Sequence, residues 1–299
     1  MAHYKVTHNE SGFIARVFAA TGDDGIQAML EWASTGKTVR GEVAYPGMEA
    51  LQKTLTGLDI DGKNPASSFA AQEIPIPRKD VFTGGTCVYC ATRPATVEIG
   101  DHVFARGFFA EEKRNNAIVY VRLPVCEKCN NAKSHDEEYV IDLVAGSLAA
   151  THPDAASLFK PNGVMQRAVE RGIGAWKTII KNSEVIEIPW EGQVVETGAV
   201  KPDWGRFQSL FSMVLRGTYY YHTGDILPID HTINVSQVPD DIWKQVQELL
   251  DGYPGVFQET LGDGTVDYSL GIHPKLQAIL CLITLYQGFR ICVRSQPAG

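Results

Sequence analysis

The sequence predicts an α+β fold with three regions of different character. The first region alternates β-prone and amphipathic runs, the second lies between two C-x2-C pairs, and the third places helical segments before three β-prone runs. With 299 residues, 44% of them hydrophobic, the chain has enough apolar surface to bury a substantial core. We therefore expect a small α/β unit over residues 1–58, a linker over 59–80, a central module over 81–150 and an α+β region with an antiparallel meander over 151–299.

The N-terminal region carries no motif that indicates a function. Its β-prone runs predict strands at 5–7, 13–19 and 38–44, and its amphipathic runs predict helices at 23–34 and 47–55. Gly, Pro, Asn and Ser then become frequent, and the segment ends in EIPIPRKD. This composition is typical of a linker with a short extended part.

Four cysteines form the strongest motif in the chain. Cys87 and Cys90 make one C-x2-C pair, and Cys126 and Cys129 make the second. Two such pairs supply the four thiolates of a closed tetrahedral Zn2+ shell, which leaves no position for a substrate, so we expect a structural zinc ion. Two redox dithiols or a pair of disulfides are the alternative, but nothing in the sequence marks secretion.

The residues between the two cysteine pairs predict two strands joined by a loop, and a helix follows. Residues 95–104 and 117–123 are β-prone, residues 107–116 are polar, and residues 130–143 have helical character. A unit of strand, loop, strand and helix, clasped by zinc, is therefore expected.

Three polar residues stand at particular points of this unit. Asp101 and His102 lie near the end of the first strand, and Asn130 directly follows the last cysteine. The order C-x2-C, D-H and C-x2-C-N resembles the HNH endonuclease family, in its zinc-clasped branch of ββα-metal or His-Me finger nucleases. The resemblance covers mainly residues 87–140 and implies a metal-dependent endonuclease that hydrolyses phosphodiester bonds, with DNA as the expected substrate.

The resemblance also implies a role for each of four residues. His102 would be the general base, since imidazole titrates near working pH. Asp101 and Asn130 would hold one divalent ion, Mg2+ or Mn2+, through oxygen ligands, and this ion would neutralise charge that builds on the phosphoryl oxygens. Asn116 would be the middle Asn of the motif and would orient the base, with a plain turn residue as the alternative.

Charged side chains surround this unit. Six basic residues could contact phosphates, although a solvated side chain is the favoured alternative for each one taken singly: Arg106, Lys113, Arg114, Arg122, Lys128 and Lys133. Glu137 or Glu138 could reach the metal from the helix, but a solvated helix face is the favoured alternative, and His135 is expected at the surface.

The C-terminal region predicts helices followed by strands. A basic helix is expected at 164–183, a second helix at 204–224 with a break at Gly217, and strands at 265–270, 276–285 and 289–293. The segment LRGTYYYHTGDILP within this region is similar to a segment of some bacterial HNH-domain proteins.

Several residues of the C-terminal region have two interpretations. The basic helix could line a nucleic-acid path, with a solvated polar face as the alternative. Tyr219, Tyr220, Tyr221 and His222 could stack on bases, but such residues more often belong to a core. Cys281 and Cys292 lie in apolar runs, which predicts buried free thiols.

The net charge of -8 argues against a protein that coats nucleic acid. A local basic cleft and a bound metal ion still allow a nuclease, for which weak non-specific DNA affinity is expected. Help from a protein partner, or from a second copy in a homo-oligomer, would compensate. No run approaches eighteen apolar residues and no basic-then-apolar leader is present, so we expect a soluble, cytoplasmic protein without membrane contact.

Two functions of different classes fit these motifs. The first is the metal-dependent endonuclease, and the second is a non-catalytic zinc knuckle that presents a binding surface to nucleic acid or protein. A knuckle of this kind needs neither Asp101 and His102 nor Asn130, so their presence in the right order favours the enzyme.

Overall fold

The computed structural model of the chain describes residues 2–8, 14–35, 41–44, 69–74, 83–113, 122–159, 164–171, 174–190, 193–253, 255–273 and 275–298. Helices and antiparallel strands both occur in these ranges, so the predicted α+β class is confirmed.

The N-terminal unit is a four-stranded antiparallel sheet with one described helix. Its strands are β1 (Ala2–His8), β2 (Ile14–Ala19), β3 (Gly41–Ala44) and β4 (Phe69–Ile74), in the order β3-β2-β1-β4. Helix α1 (Gly22–Thr35) packs on this sheet through buried residues that include Ala28 and Met29. The short extended part predicted inside the linker is β4, which pairs with β1 from His3 to His8. The helix predicted at 47–55 lies outside the described residues.

The central module contains two very short strands and one long helix. β5 (Asp101–His102) pairs antiparallel with β6 (Arg122–Leu123), and α2 (Glu127–Leu148) follows. The strand predicted at 95–104 is limited to the two residues of β5, and of the strand predicted at 117–123 only residues 122–123 are described. A turn with positive φ at Gly100 precedes β5, and residues 114–121 lie outside the described part. Two 3-10 helices, Arg106–Phe108 and Glu111–Lys113, occupy the predicted polar loop.

The described part of the C-terminal region contains five further helices. They are α3 (Pro153–Ser157), α4 (Val164–Arg171), α5 (Ala175–Lys181), α6 (Trp204–Thr223) and α7 (Asp240–Glu248), the last of which continues into the 3-10 helix Leu249–Gly252. The single basic helix predicted at 164–183 is divided into α4 and α5. Gly174, with φ of 61°, directly precedes α5.

The C-terminal strands form two antiparallel sheets. A hairpin consists of β7 (Ser183–Trp190) and β8 (Gln193–Val200). The larger sheet contains β9 (His231–Gln237), β10 (Gly255–Leu261), β11 (Val266–His273), β12 (Ala278–Leu285) and β13 (Phe289–Pro297), in the order β10-β11-β12-β13-β9. The predicted meander is therefore confirmed, because β10 to β13 pair consecutively.

Helix α6 does not break at Gly217, so this prediction is wrong. A Cβ atom at Gly217 would lie 2.9 Å from Leu123 Cδ1 and 3.3 Å from Val103 Cγ2. The glycine therefore allows α6 to approach the β5–β6 pair closely. The helix ends instead at Gly224, which has φ of 74° and donates its amide to Tyr220 O at 2.8 Å.

His222 belongs to the core, which agrees with the alternative to base stacking. It is 1% exposed, stacks on Phe257 with ring centroids 4.3 Å apart, and has its Nε2 atom 2.9 Å from the Tyr268 hydroxyl. Tyr219 and Tyr220 are half-buried.

One hydrophobic core joins the central module to the larger sheet. Phe104 contacts Tyr268 with ring centroids 5.7 Å apart, and residues of α2, α6 and the sheet belong to the same buried cluster. Cys281 lies in this cluster, whereas Cys292 lies in a smaller one beneath α7 on the opposite face of the sheet. Both are free thiols, as predicted. No helix in the described ranges is both long and apolar enough to cross a membrane.

Candidate functional site

The four predicted zinc ligands come together in space. The Sγ atoms of Cys87, Cys90, Cys126 and Cys129 all lie within 4.8 Å of one another, and those of Cys90 and Cys126 are 4.0 Å apart. A tetrahedral zinc ion with Zn–S bonds of about 2.3 Å requires sulfur separations of roughly 3.8 Å. The cluster therefore fits a four-thiolate metal site such as zinc.

Local backbone geometry produces this arrangement. The first pair lies in a tight turn in which the amide of Ala91 donates to Cys87 O at 2.9 Å. The second pair opens α2, because Cys126 is its N-cap residue and Asn130 donates its amide to Cys126 O at 3.0 Å. The amide of Val88 donates to Pro124 O at 3.0 Å and so ties the two turns together.

The thiols differ in their acidity. Burial raises the pKa of Cys87 and that of Cys129. Burial also opposes ionisation of Cys90, but hydrogen bonds from Thr92 and Arg93 outweigh it and lower the pKa of Cys90 to about 6. Because a bound metal requires thiolates, the remaining protons must leave when the ion binds.

A buried lysine of α2 bonds to both residues of the Asp101–His102 dipeptide. Lys133 Nζ lies 3.0 Å from Asp101 Oδ2 and donates to the backbone oxygen of His102 at 2.7 Å. It also forms an ion pair with Glu137. The Tyr89 hydroxyl, from the first cysteine turn, donates to the same Asp101 oxygen at 2.6 Å. The cysteine cluster, β5 and α2 thus form one hydrogen-bonded unit.

Two charged residues of α2 differ from their predicted surroundings. Lys133 was expected to contact phosphate or solvent, but it is fully buried and paired with carboxylates. Glu137 was expected on a solvated face, but it is 7% exposed. Burial raises the pKa of Glu137 to about 7, although Lys133 acts in the opposite direction. The reason is helical geometry, since residues 133 and 137 are four apart and both face β5.

The environment of His102 favours the neutral imidazole. Burial lowers the pKa of His102, which is half-buried beside β6. The positive charges of Arg122, Lys133 and Arg106 act in the same direction, whereas Asp101 opposes them. A neutral imidazole near pH 7 is the form that a general base requires.

Asn130 lies on the same side of α2 as Lys133, one helical turn earlier. Its side chain is half-buried and forms no hydrogen bond with any described residue. Asn116 and Arg114 lie outside the described residues, so the middle Asn of the motif stays a prediction.

The other predicted basic residues take different positions. Arg106 and Lys128 are exposed, Arg122 lies opposite His102 in the strand pair, and Lys113 forms an ion pair with Asp154 at 2.5 Å. Glu138 and His135 are exposed, as expected.

Sequence reasoning missed the connecting residues of this site. Tyr89, Lys133 and Glu137 hold the site together, yet none belongs to the motif that identified it. The available signal was the spacing of Asn130, Lys133 and Glu137, which places all three along one side of a helix.

Comparison of the chain with protein-family models, curated proteins and solved structures gives no match.

Proposed function

We propose that this chain is a metal-dependent endonuclease of the HNH type, which hydrolyses phosphodiester bonds in nucleic acid, with DNA as the expected substrate. One observation carries the proposal. Lys133 bonds both to the Asp101 carboxylate and to the backbone of His102, so the strand with the expected base is fixed against the helix with Asn130. Two members of the four-cysteine cluster, Cys126 and Cys129, lie at the start of that helix.

His102 would act as general base toward the attacking water. Its lowered pKa keeps the imidazole able to accept a proton at neutral pH. Lys133 would be a positioning residue, because its bond to the His102 backbone fixes the strand from which the ring projects.

Asp101 and Asn130 fit a divalent ion with oxygen ligands. Both bonds to Asp101 go to Oδ2, so within the described residues Oδ1 is not engaged, and the side-chain amide of Asn130 likewise has no hydrogen-bond partner there. Mg2+ or Mn2+ at these oxygens would neutralise charge that develops on the phosphoryl group. The positive charge of Lys133 partly neutralises the Asp101 carboxylate and so weakens its attraction for a cation. We therefore expect the ion to bind weakly until a substrate phosphate adds a further ligand.

The test is cleavage of supercoiled plasmid by the full chain with Mg2+ or Mn2+. His102→Ala should reduce nicking by about 100-fold or more, the usual contribution of a general base. His135→Ala is the matched control, because His135 is an exposed histidine on α2, and it should cleave like the parent. Equal activity of His102→Ala and the parent would refute the assignment of the base.

A non-catalytic zinc knuckle is the second candidate. One observation favours it: Asp101 Oδ2 accepts a hydrogen bond from Tyr89 and pairs with Lys133, so this oxygen is used in the contacts that hold the fold together. DNA binding without nicking under any of Mg2+, Mn2+ or Zn2+ would support this candidate over the enzyme.

A further inference from the structure

A second concave site lies beside the C-terminal half of α2. The cavity has a volume of about 350 Å3, and residues of α2, α5, β8, α6 and the five-stranded sheet line it. Four aromatic side chains contribute to its walls: Trp176, Trp204, Phe207 and Phe289. A cavity of this size and composition suits a flat aromatic ligand.

Three of these aromatic side chains contact one another, and one of them is open to solvent. Trp204 and Phe207 have ring centroids 4.9 Å apart, and Phe207 and Phe289 have centroids 5.8 Å apart. Trp204 is 41% exposed, so a large ring is accessible from solvent. At Gly198, which also lines the cavity, a Cβ atom would meet no atom within 4 Å. A larger side chain could therefore be accommodated at this lining position without a clash.

Two lysines are sequence neighbours of residues that line the cavity. Lys177 follows Trp176, and Lys201 lies between two lining residues; both lysines are exposed and form no ion pair with any described residue. Asp203, which also lies between two lining residues, is paired with Arg206 at 3.7 Å. A negatively charged group on an aromatic ligand could therefore pair with either lysine.

We propose that this cavity binds a nucleotide, with its base among the aromatic side chains and its phosphate at Lys177 and Lys201. The indole N–H of Trp176 is buried and has no acceptor in the described part of the chain, and a base edge carries suitable acceptors. Stacking on aromatic side chains tolerates any base, because every base has a π-face.

The proposal rests on the proposed function and extends it, because the cavity would be a second contact for the same substrate. Val144 lines the cavity and follows Lys133 by about three helical turns, so the two sites lie roughly 16 Å apart along one side of α2. This distance corresponds to about five stacked nucleotides of a single strand.

The experiment measures tryptophan fluorescence of the full-length His102→Ala variant during titration with dAMP and with a ten-residue dT oligonucleotide. Both a free nucleotide and a nucleotide within a strand carry the base and the phosphate that the proposal requires. Tighter binding of the oligonucleotide would assign the site to a strand, and equal binding would assign it to the free nucleotide. Absence of a fluorescence change with either probe overturns the proposal.

Variants of residues at the cavity, each compared with a variant of an exposed residue elsewhere, test whether the nucleotide binds in the cavity. Lys201→Glu should weaken binding by about ten-fold, since it replaces a phosphate contact with a repulsive charge. Lys244→Glu, an exposed lysine on α7, should leave binding unchanged. Gly198→Leu should fill the cavity and abolish binding, whereas Gly252→Leu, at an exposed position with open space, should not. Equal binding by the Gly198 and Gly252 variants would overturn the assignment.

The two proposals fail separately. Plasmid cleavage by the parent chain without nucleotide binding would overturn the cavity assignment alone. Nucleotide binding that depends on Gly198 and Lys201, without cleavage by the parent, would overturn the nuclease alone.

Discussion

Lys133 is the residue on which the geometry of the candidate site depends. Its ammonium group is fully buried and pairs with Asp101 and Glu137 while also bonding to the His102 backbone. A buried cation of this kind is costly to desolvate, and two carboxylates together with a carbonyl oxygen offset that cost.

Replacement of this lysine should be strongly destabilising. We expect Lys133→Met to lower the free energy of unfolding by about 3 to 5 kcal/mol, because it leaves the buried Glu137 and the half-buried Asp101 without a counter-charge. Lys128→Met, an exposed lysine on the same helix, should change it by less than about 0.5 kcal/mol. Urea denaturation of both variants measures the difference. Similar stabilities would mean that the ion pairs contribute nothing to the fold.

Asp142 should make stability depend on pH. It is 7% exposed, and burial, together with the charge of Glu138, raises the pKa of Asp142 to about 7. The folded state therefore binds more protons than the unfolded state above an ordinary Asp pKa, so this residue lowers stability as pH rises toward 7.

The replacement Asp142→Asn removes that dependence. Between pH 5 and pH 7 the parent should lose stability relative to Asp142→Asn, by on the order of 2 kcal/mol, and the difference should level off above pH 8. Denaturation at several pH values tests this, with Asp241→Asn, an exposed aspartate, as the control. A pH-independent difference would contradict the burial of a protonated carboxyl group.

At the level of elements, α6 can pack closely against the β5–β6 pair because residue 217 is a glycine. A methyl group at Gly217 would be placed 2.9 Å from Leu123 Cδ1. The closeness of these elements matters for the candidate site, because β6 pairs directly with the strand of Asp101 and His102.

We expect Gly217→Ala to destabilise the protein by about 1 to 3 kcal/mol through overpacking, although alanine is the better helix former. In a Leu123→Ala background the same change should cost less, since the clashing methyl group is gone. A double-mutant cycle with chemical denaturation measures this coupling. Additive effects would show that the two positions do not meet.

The elements differ in how far the sequence predicted them. The C-x2-C spacing was sufficient to predict the cysteine cluster, and the apolar runs of β11 to β13 were sufficient to predict the meander, since each signal is local. The continuation of α6 through Gly217 was not predictable, because the role of this glycine depends on β6 from a distant part of the chain. The burial of Lys133 was missed for the same reason, since its partner Asp101 is brought to it only by the fold.

For the whole molecule, the four-cysteine cluster and the larger sheet share one core. Cys87 and Cys126 belong to the same buried cluster as residues of β11, β12 and β13. Loss of a metal ion bound by these cysteines should therefore weaken the central and C-terminal regions together.

Replacement of one ligand tests this coupling. Cys126→Ser should abolish stoichiometric zinc binding and lower the melting temperature by several degrees, at about 2 to 4 °C per kcal/mol. Cys292→Ala should leave the zinc content unchanged, because Cys292 lies far from the cluster beneath α7. Calorimetry together with metal analysis provides both readouts. An unchanged melting temperature for Cys126→Ser would show that the metal does not support the fold.

The register of the larger sheet has a consequence for oxidative chemistry. Cys281 pairs with Val293 while its neighbour Leu282 pairs with Cys292, so the two sulfur atoms project from opposite surfaces of adjacent strands. Burial also raises the pKa of both thiols, which suppresses their nucleophilic form. An oxidant therefore cannot join these two thiols in a disulfide unless the pairing of the strands first slips by one residue.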